Sequence, residues 1–329
     1  MNSSFTARRV AIVIAILALI AVPYAITESY YVNIASQVLL YAIFAMGLNV
    51  LVGYAGLVSL GHAGLLGIAA YTVAYLLAAG YSHTFAILAG LVIGLVSTAG
   101  FAALALRATG ISFIMITLAL GEIIWGVAYR WISLTNGDNG ISIASRPAPF
   151  GFSLSSAKSF YDVTLIIFLL AIAGCAIFVR SPLGAALCGT RDQPRRMNAL
   201  GYHVWMTRFW AFVFSGLLTS VAGILFVYYN EFISPQALAL TASAEGLLMV
   251  ISGGAGTLLG PVVGAALVVI VKNVVSAYVT RWNFMLGAIF VAIVVFMPEG
   301  LVPGAVRLVR SAWRSTGQKT MGSLAVRKQ

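Results

Sequence analysis

The stretch VGYAGLVSLGHAG (52–64) interrupts a long apolar run, and SGGAGTLLGPVVG (252–264) interrupts another in a similar way. Each contains Gly-x-Ala-Gly followed by further glycines, which permit unusual backbone conformations and let helices approach closely. Irregular backbone at membrane depth is tolerated only where protein buries it or where it lines a wet cavity. Two interpretations therefore stay open for these bends: tight packing, or a pathway through the membrane lined by Gly53, Gly56, Gly61, Gly253, Gly256 and Gly260.

Composition assigns the chain to the bilayer. Of its 329 residues, 61% are hydrophobic and only 8% are charged, whereas a soluble domain carries about 25% charged residues. The formal net charge of +11 does not indicate nucleic-acid binding, because the basic residues fall mostly between and after apolar runs. Cys175 and Cys188 lack metal-ligand spacing and are predicted to be free thiols.

Ten apolar runs approach the roughly 20 residues that a transmembrane helix needs. They lie at 10–27, 34–52, 58–79, 84–106, 110–131, 161–179, 209–230, 244–257, 259–279 and 284–298. The predicted fold is all-α: one polytopic membrane domain, residues 1–329, with about ten transmembrane helices and two glycine-rich broken-helix regions. The first run also resembles a signal peptide, but the poor cleavage site at Pro23-Tyr24-Ala25 favours an uncleaved helix.

The basic residues predict the orientation. The N-terminus, Arg107, the polar segment 180–208 and the tail 307–329 together hold fourteen of the 19 Lys and Arg, and ten crossings place all of them on one side. Since cytoplasmic segments concentrate Lys and Arg, both termini are predicted to be cytoplasmic. The turn-rich segment 132–160 then lies outside, and the basic tail lies near anionic lipid headgroups.

Several polar residues fall within the apolar runs. Glu122 is too far from Arg130 along one helix to pair with it, so it needs a partner on another helix or carries a proton. For Glu122, Glu245 and His62, a structural tie and a place on the pathway both stay open, with His62 favoured as a neutral hydrogen-bonding residue rather than a proton carrier. The remaining candidates for polar contacts to a solute are Asn49, Ser59 and Thr117.

Enzymatic motifs are missing from the sequence. It contains no G-x-x-x-x-G-K-[ST] phosphate loop, no nucleophile elbow and no H-E-x-x-H pair. The chain is therefore predicted not to be an enzyme and to require no metal or cofactor.

Four sequence blocks, taken in order, resemble the branched-chain amino acid ABC transporter permeases, and the LivM-type subunit more than its LivH-type partner. They are GLNVLVGYAGLVSLGHAGLLGIAAY (47–71), LRATGISFIMITLALGEI (106–123), LTNGDNGIS (134–142) and LLMVISGGAGTLLGPVVGAALVVIV (247–271). The resemblance implies an importer in the bacterial inner membrane with a second, LivH-type permease subunit, two cytoplasmic ATPases and a periplasmic binding protein. Relatives carry branched-chain or other amino acids, urea or short amides. An ATP-independent secondary transporter or facilitator is the alternative, since broken helices and Glu122 suit one as well.

The resemblance also gives a role to the polar segment 180–208. In such importers this position holds a coupling helix that docks on an ATPase, and the matching residues here are Arg191, Asp192, Ala199, Leu200 and Gly201. Gln193-Pro194-Arg195-Arg196 departs from the family pattern, which usually has acidic and small residues. We expect the short helix to begin at Pro194 and to end near Gly201, and Arg195 and Arg196 to face an acidic groove of the ATPase.

The external face is expected to receive the binding protein. Arg146, Lys158 and Arg281 are predicted to be exposed positive charges there, suited either to docking on acidic lobes or to plain solvation.

Overall fold

The computed structural model describes residues 19–21, 23–24, 28–143, 146, 154, 156–278, 282–297, 300–304 and 307. Most of the first predicted span (10–27), the tail beyond Arg307, and Arg281 lie outside these residues.

Twelve α-helices are used below to locate the site. They are α1 (Ser29–Asn49), α2 (His62–Ala78), α3 (His83–Ala105), α4 (Ile111–Arg130), α5 (Ile132–Thr135), α6 (Ala157–Arg180), α7 (Pro182–Asp192), α8 (Pro194–Ala199), α9 (Val204–Asn230), α10 (Leu240–Gly253), α11 (Gly260–Tyr278) and α12 (Trp282–Phe296). Each predicted span from 34–52 onward coincides with one of them, with ends that differ by up to five residues.

Within the described residues, five helices are long and apolar enough to cross a membrane: α1 with its extension to Ala55, α3, α4, α6 and α9. The helices α2, α10 and α11 are apolar but shorter. The chain is thus an all-α, multi-pass membrane protein, while the count of about ten spans stays a prediction.

Helices α1 and α9 form the centre of the bundle. In their most apolar windows, 83% and 67% of the residues are buried, against 22–28% in α3, α4 and α6. Small residues allow the central helices to approach closely. A Cβ at Gly47 of α1 would lie 2.8 Å from the carbonyl oxygen of Ser215 on α9.

The first glycine-rich stretch ends α1 in an unusual way. The helix widens into a π-helical segment, Val50–Ala55, and stops at Gly56, which has the left-handed φ of 69° that glycine adopts without a Cβ penalty. An irregular stretch then leads to α2, which begins at His62.

The bundle has two distinct ends. At the glycine end lie Gly56, Gly256, Arg107 and the polar segment with α7 and α8. At the strand end, β1 (Ile141–Ser142) pairs antiparallel with β2 (Phe232–Ile233), Ile141 opposite Ile233. The 27 residues of α9 separate these ends by about 40 Å at 1.5 Å per residue.

The polar segment contains two helices rather than one. Helix α8 begins at Pro194, and the chain leaves it through Gly201 at a φ of 88°, so both predicted limits of the short helix are confirmed. Helix α7 was not predicted, although Ser181 and Pro182 form a recognisable start. The Ser181 hydroxyl accepts a hydrogen bond from the amide of Gly184 at 3.2 Å, and Pro182 occupies the first turn.

Candidate functional site

The two glycine-rich bends contact each other at a place that we call the bend junction, formed by Asn49, Gly53, Gly256 and Thr257. The Asn49 side-chain amide donates to the carbonyl oxygen of Thr257 at 2.9 Å, and its oxygen accepts from the amide of Gly256 at 2.9 Å. One buried asparagine thus satisfies backbone groups more than 200 residues away in the chain.

Close backbone approach explains the glycine at position 53. A Cβ there would lie 2.6 Å from Cα of Gly256 and would also overlap its backbone nitrogen. In the second bend, a Cβ at Gly253 would overlap the carbonyl oxygen of Gly260, so the end of α10 packs directly on the start of α11. These glycines make the tight contacts of the packing interpretation, while their place on a pathway stays a prediction.

His62 is the middle of a buried hydrogen-bond chain that joins three segments. Its Nδ1 lies 2.8 Å from the Ser59 hydroxyl, and its Nε2 lies 2.9 Å from the Ser215 hydroxyl on α9. Because Ser215 donates its proton to the carbonyl oxygen of Gly47 at 2.6 Å, Nε2 is assigned as the donor, and in the neutral ring Nδ1 then accepts from Ser59. His62 is completely buried, so the geometry matches the predicted neutral hydrogen-bonding role.

Helix α4 supports the same bend. The Thr117 hydroxyl accepts from the amide of Leu60 at 3.3 Å and donates to the carbonyl oxygen of Ile114 at 2.9 Å. Four of the predicted pathway residues are at most 3% exposed, and their polar side-chain groups form hydrogen bonds with other groups of the protein: Asn49, Ser59, His62 and Thr117. In this conformation they hold helices together, and contact with a solute stays a prediction for them.

Arg191 connects the polar segment to the bend junction. Its Nη1 donates to the carbonyl oxygen of Gly53 at 2.7 Å, and its Nε lies 2.9 Å from a carboxylate oxygen of Asp192. The aliphatic part of the Arg191 side chain lies against Gly56. A Cβ added at Gly56 would lie 2.6 Å from Cγ of Arg191. Arg208 adds a second tie from α9 to α7 through the carbonyl oxygen of Thr190, at 3.0 Å. No local pattern in the sequence indicates the contact between Arg191 and Gly53.

Helix α8 lies on the surface of the glycine end. None of its residues is buried, and Arg195, Arg196 and Ala199 are exposed. Leu200, just past the helix, is 66% exposed. This face therefore offers positive charge beside an apolar side chain, without cover from the described part of the chain.

A cavity of about 420 Å³ lies toward the strand end, between α1, α2, α9, α10 and α11. Glu245 of α10 and Lys272 of α11 form an ion pair in its wall, with 3.1 Å between the ammonium nitrogen and a carboxylate oxygen. The polar side chains of the wall lie near β2 and are Asn230, Ser234, Gln236 and Thr241. The aromatic and aliphatic side chains lie deeper in and are Tyr41, Phe44, Leu66 and Phe226. Of the predicted pathway residues, Glu245 therefore differs from Asn49 and His62 in facing an open space.

Among the described residues, Glu122 has no partner on another helix, and the choice between such a tie and a place on the pathway stays open. Glu122 is half-buried on α4, and no described residue makes a hydrogen bond or ion pair with its side chain.

Two of the three external positive charges can be located. Arg146 was expected to be exposed, and this is wrong: its side chain is 13% exposed and is 3.0 Å from a carboxylate oxygen of Glu231. It also donates to the carbonyl oxygens of Tyr228 and Tyr229 at 3.0 and 3.1 Å and lies over the ring of Phe160. The guanidinium of Arg146 is largely buried because these partners at the end of α9 bind it. Lys158 is exposed at the start of α6, and Arg281 is not among the described residues.

Comparison with known proteins identifies relatives along most of the chain. Residues 30–294 match the family described as "Branched-chain amino acid transport system / permease component". The high-affinity branched-chain amino acid transport system permease protein LivM of Salmonella typhimurium is 30% identical over 303 aligned positions, which cover 83% of this chain and 70% of that protein. LivM of Escherichia coli is 29% identical with the same coverage.

A relative whose name gives a different substrate also matches. The autoinducer 2 import system permease protein LsrC of Yersinia enterocolitica is 28% identical over 246 positions, 70% of this chain and 65% of that protein. No solved structure matches significantly. The resemblance carried by the four sequence blocks is confirmed, and the chain belongs to the permease component family of branched-chain amino acid transport systems.

Proposed function

We propose that this chain is a permease subunit of an ABC importer that forms, with a LivH-type partner, the pathway for branched-chain amino acids or related amino acids and amides. A periplasmic binding protein delivers the solute, and two cytoplasmic ATPase subunits drive its passage. The similarity to two LivM proteins supports amino acids over the autoinducer of LsrC as the substrate class.

The observation that carries this proposal is the hydrogen bond from Arg191 to the carbonyl oxygen of Gly53. A coupling helix must pass the movement of an ATPase to the membrane helices. Helices α7 and α8 lie between two long apolar helices, and Arg191, at the end of α7, holds the backbone of the first bend. Asn49 then joins that bend to the second one. Displacement of α7 and α8 therefore reaches both bends through two side chains.

The surface of α8 suits the ATPase. Arg195 and Arg196 supply positive charge, Leu200 supplies an apolar contact, and the turn at Gly201 lets the chain leave α8 before α9 begins. We expect the receiving groove to be acidic.

The charge of the two ends supports the proposed orientation. At the glycine end, the described charged residues include Arg107, Arg180, Arg191, Arg195, Arg196 and Arg208 against Asp192. Among the described residues, the strand end holds Glu28, Asp138, Asp162 and Glu231 against Arg130, Arg146 and Lys158, so it lacks the excess of positive charge. Since cytoplasmic loops concentrate Lys and Arg, the glycine end faces the cytoplasm and the strand end faces the periplasm and the binding protein. Both termini are then cytoplasmic in the bacterial inner membrane.

Reconstitution tests the proposal. The complex purified through a tag on this chain is placed in proteoliposomes, and uptake of labelled branched-chain amino acids is measured with and without ATP and the binding protein. We expect uptake only when both are present, and loss of uptake with an ATPase subunit that cannot hydrolyse ATP. Uptake by this chain alone, driven by a solute or proton gradient, would instead identify a secondary transporter.

A further inference from the structure

We propose that Glu245 and Lys272 form a recognition site for the zwitterionic α-amino and α-carboxylate groups of the solute inside the permease itself. The site is separate from the one on the binding protein, and it rests on the proposed function because it takes an amino acid as the solute. Glu245 would bind the α-ammonium group, and Lys272 would bind the α-carboxylate.

The position of the pair suits a receiving site for a solute that enters from the strand end. Glu245 is five residues into α10, about 7.5 Å below its first residue at 1.5 Å per residue. Ser234 and Gln236, near β2, line the same cavity closer to the strand end. The side chains of Glu245 and Lys272 are 19% and 33% exposed, so neither is sealed from the cavity.

The pair suits a zwitterion because a zwitterion carries one positive and one negative group and has no net charge. An amino acid that inserts between the two groups replaces one ion pair with two, and it adds no net charge to the protein interior. Neither side chain is left as an isolated buried charge, which would be the costly outcome. An ionisable pair held within membrane helices is expensive to maintain and by default marks a functional place.

The rest of the cavity suits an aliphatic side chain. Phe44, Leu66 and Phe226 line it on the side of α1, α2 and α9, which gives an apolar surface beside the charged pair. Its volume of about 420 Å³ falls in the range of roughly 300–1,000 Å³ typical of small-molecule sites, which combine apolar walls with a few polar groups.

A purely structural tie between α10 and α11 is the competing explanation, and double substitution separates the two. A structural pair is harmed by loss of one partner, which leaves an unpaired charge, but removal of both partners is often tolerated. A recognition site loses its function in either case. Glu245→Gln, Lys272→Met and the double variant are therefore compared with Asp162→Asn, which neutralises a half-buried carboxylate of α6 that does not line the cavity.

The primary measurement is binding of L-leucine to the full complex purified without binding protein. We expect each single variant and the double variant to bind L-leucine at least tenfold more weakly than wild type, while Asp162→Asn binds normally. Wild type should also prefer L-leucine at least tenfold over 4-methyl-2-oxopentanoate, which lacks the ammonium group, and over L-leucinamide, which lacks the carboxylate. The first preference should shrink in Glu245→Gln and the second in Lys272→Met.

Three results would overturn the inference: no measurable L-leucine binding by wild type, unchanged binding in the single variants, or recovery of binding in the double variant. Size-exclusion chromatography of each complex confirms assembly before binding is compared. Failure of the proposed function is recognised separately, since wild-type proteoliposomes supplied with ATP and binding protein would then take up no amino acid.

Discussion

The bend junction and the cavity both hold polar groups inside apolar helices, but they use them differently. At the junction, Asn49 bonds to backbone groups of the second bend at 2.9 Å, and glycines bring the backbones into contact. In the cavity, Glu245 and Lys272 bond to each other beside an open space. Polar groups that bond to the backbone fix the position of helices, whereas an ion pair that faces an open space can exchange its partner for a ligand.

The two places are neighbours through the first turn of α2. Ala63 lines the cavity, and its amide donates to the Ser243 hydroxyl of α10 at 3.0 Å. The preceding residue, His62, belongs to the buried chain that joins Ser59 and Ser215. One end of the first bend therefore lines the cavity through Ala63, while Arg191 bonds to the same bend at Gly53. Movement at Arg191 would have a short route to the proposed solute site.

The largest effect is expected from a side chain placed in the junction. In Gly53→Ala, the new Cβ meets backbone atoms of Gly256, which cannot turn aside as a flexible side chain would. Overpacking of this kind costs about 3 kcal/mol of unfolding free energy. Thermal unfolding of the purified protein in detergent measures it. Gly126→Ala in α4 is the matched control, because a Cβ there meets no atom within 4 Å. Equal stability of the two variants would contradict the close approach of the bends.

A smaller effect on stability but a clear effect on transport is expected at Arg191. Arg191→Ala removes the hydrogen bond to the carbonyl oxygen of Gly53, worth about 2 kcal/mol for a charged donor. We expect at least tenfold slower uptake at normal assembly, with ATP hydrolysis retained, because the link between ATPase and bend is cut. Both rates are measured on the same proteoliposomes. Arg107→Ala, an exposed arginine at the same end, should change neither, and coupled transport in Arg191→Ala would disprove the link.

The helix limits can be predicted from the sequence alone, whereas the contacts of Gly53 and Arg191 cannot. Apolar run length locates the helices, and proline and glycine chemistry predicts both limits of α8, because these signals act within a few residues. The bonds from Arg191 to Gly53 and from Lys272 to Glu245 join residues 138 and 27 positions apart. Nothing local indicates such pairs, since only the packing of helices brings them together.

The error at Arg146 has the same cause. A turn-rich loop with an arginine predicts exposure, and no nearby residue in the sequence indicates otherwise. Its partners, Glu231 and the carbonyl groups of Tyr228 and Tyr229, lie more than 80 residues away, at the end of α9. Pairing of β1 with β2 brings the two segments together.

A moderate effect is expected at His62. His62→Ala removes the buried hydrogen bonds of the ring to the hydroxyls of Ser59 and Ser215, although Ser215 keeps its bond to the carbonyl oxygen of Gly47. The variant should cost about 1.5 kcal/mol of unfolding free energy. His203→Ala, an exposed histidine just before α9, should change it by less than about 0.5 kcal/mol. Thermal unfolding in detergent compares the two.

His62→Gln then separates hydrogen bonding from proton transfer. Glutamine offers an acceptor and donors but does not titrate, so uptake and its pH profile should match wild type. A flattened pH profile in this variant would instead indicate that His62 carries protons during transport.

The smallest effect is expected at Lys158, which extends the comparison to the external charges. Arg146, as Asn49 does at the bend junction, bonds to other groups of the protein. Its replacement would therefore disturb the fold, and a loss of docking could not be separated from a loss of structure. Lys158 is exposed on α6, and Lys158→Glu should change the unfolding free energy by less than about 0.5 kcal/mol. A rim charge acts mainly on the association rate, so the binding protein should associate severalfold more slowly at low salt, with the difference vanishing at high salt. Surface plasmon resonance on the immobilised complex measures this rate, and equal rates at low salt would assign Lys158 to plain solvation.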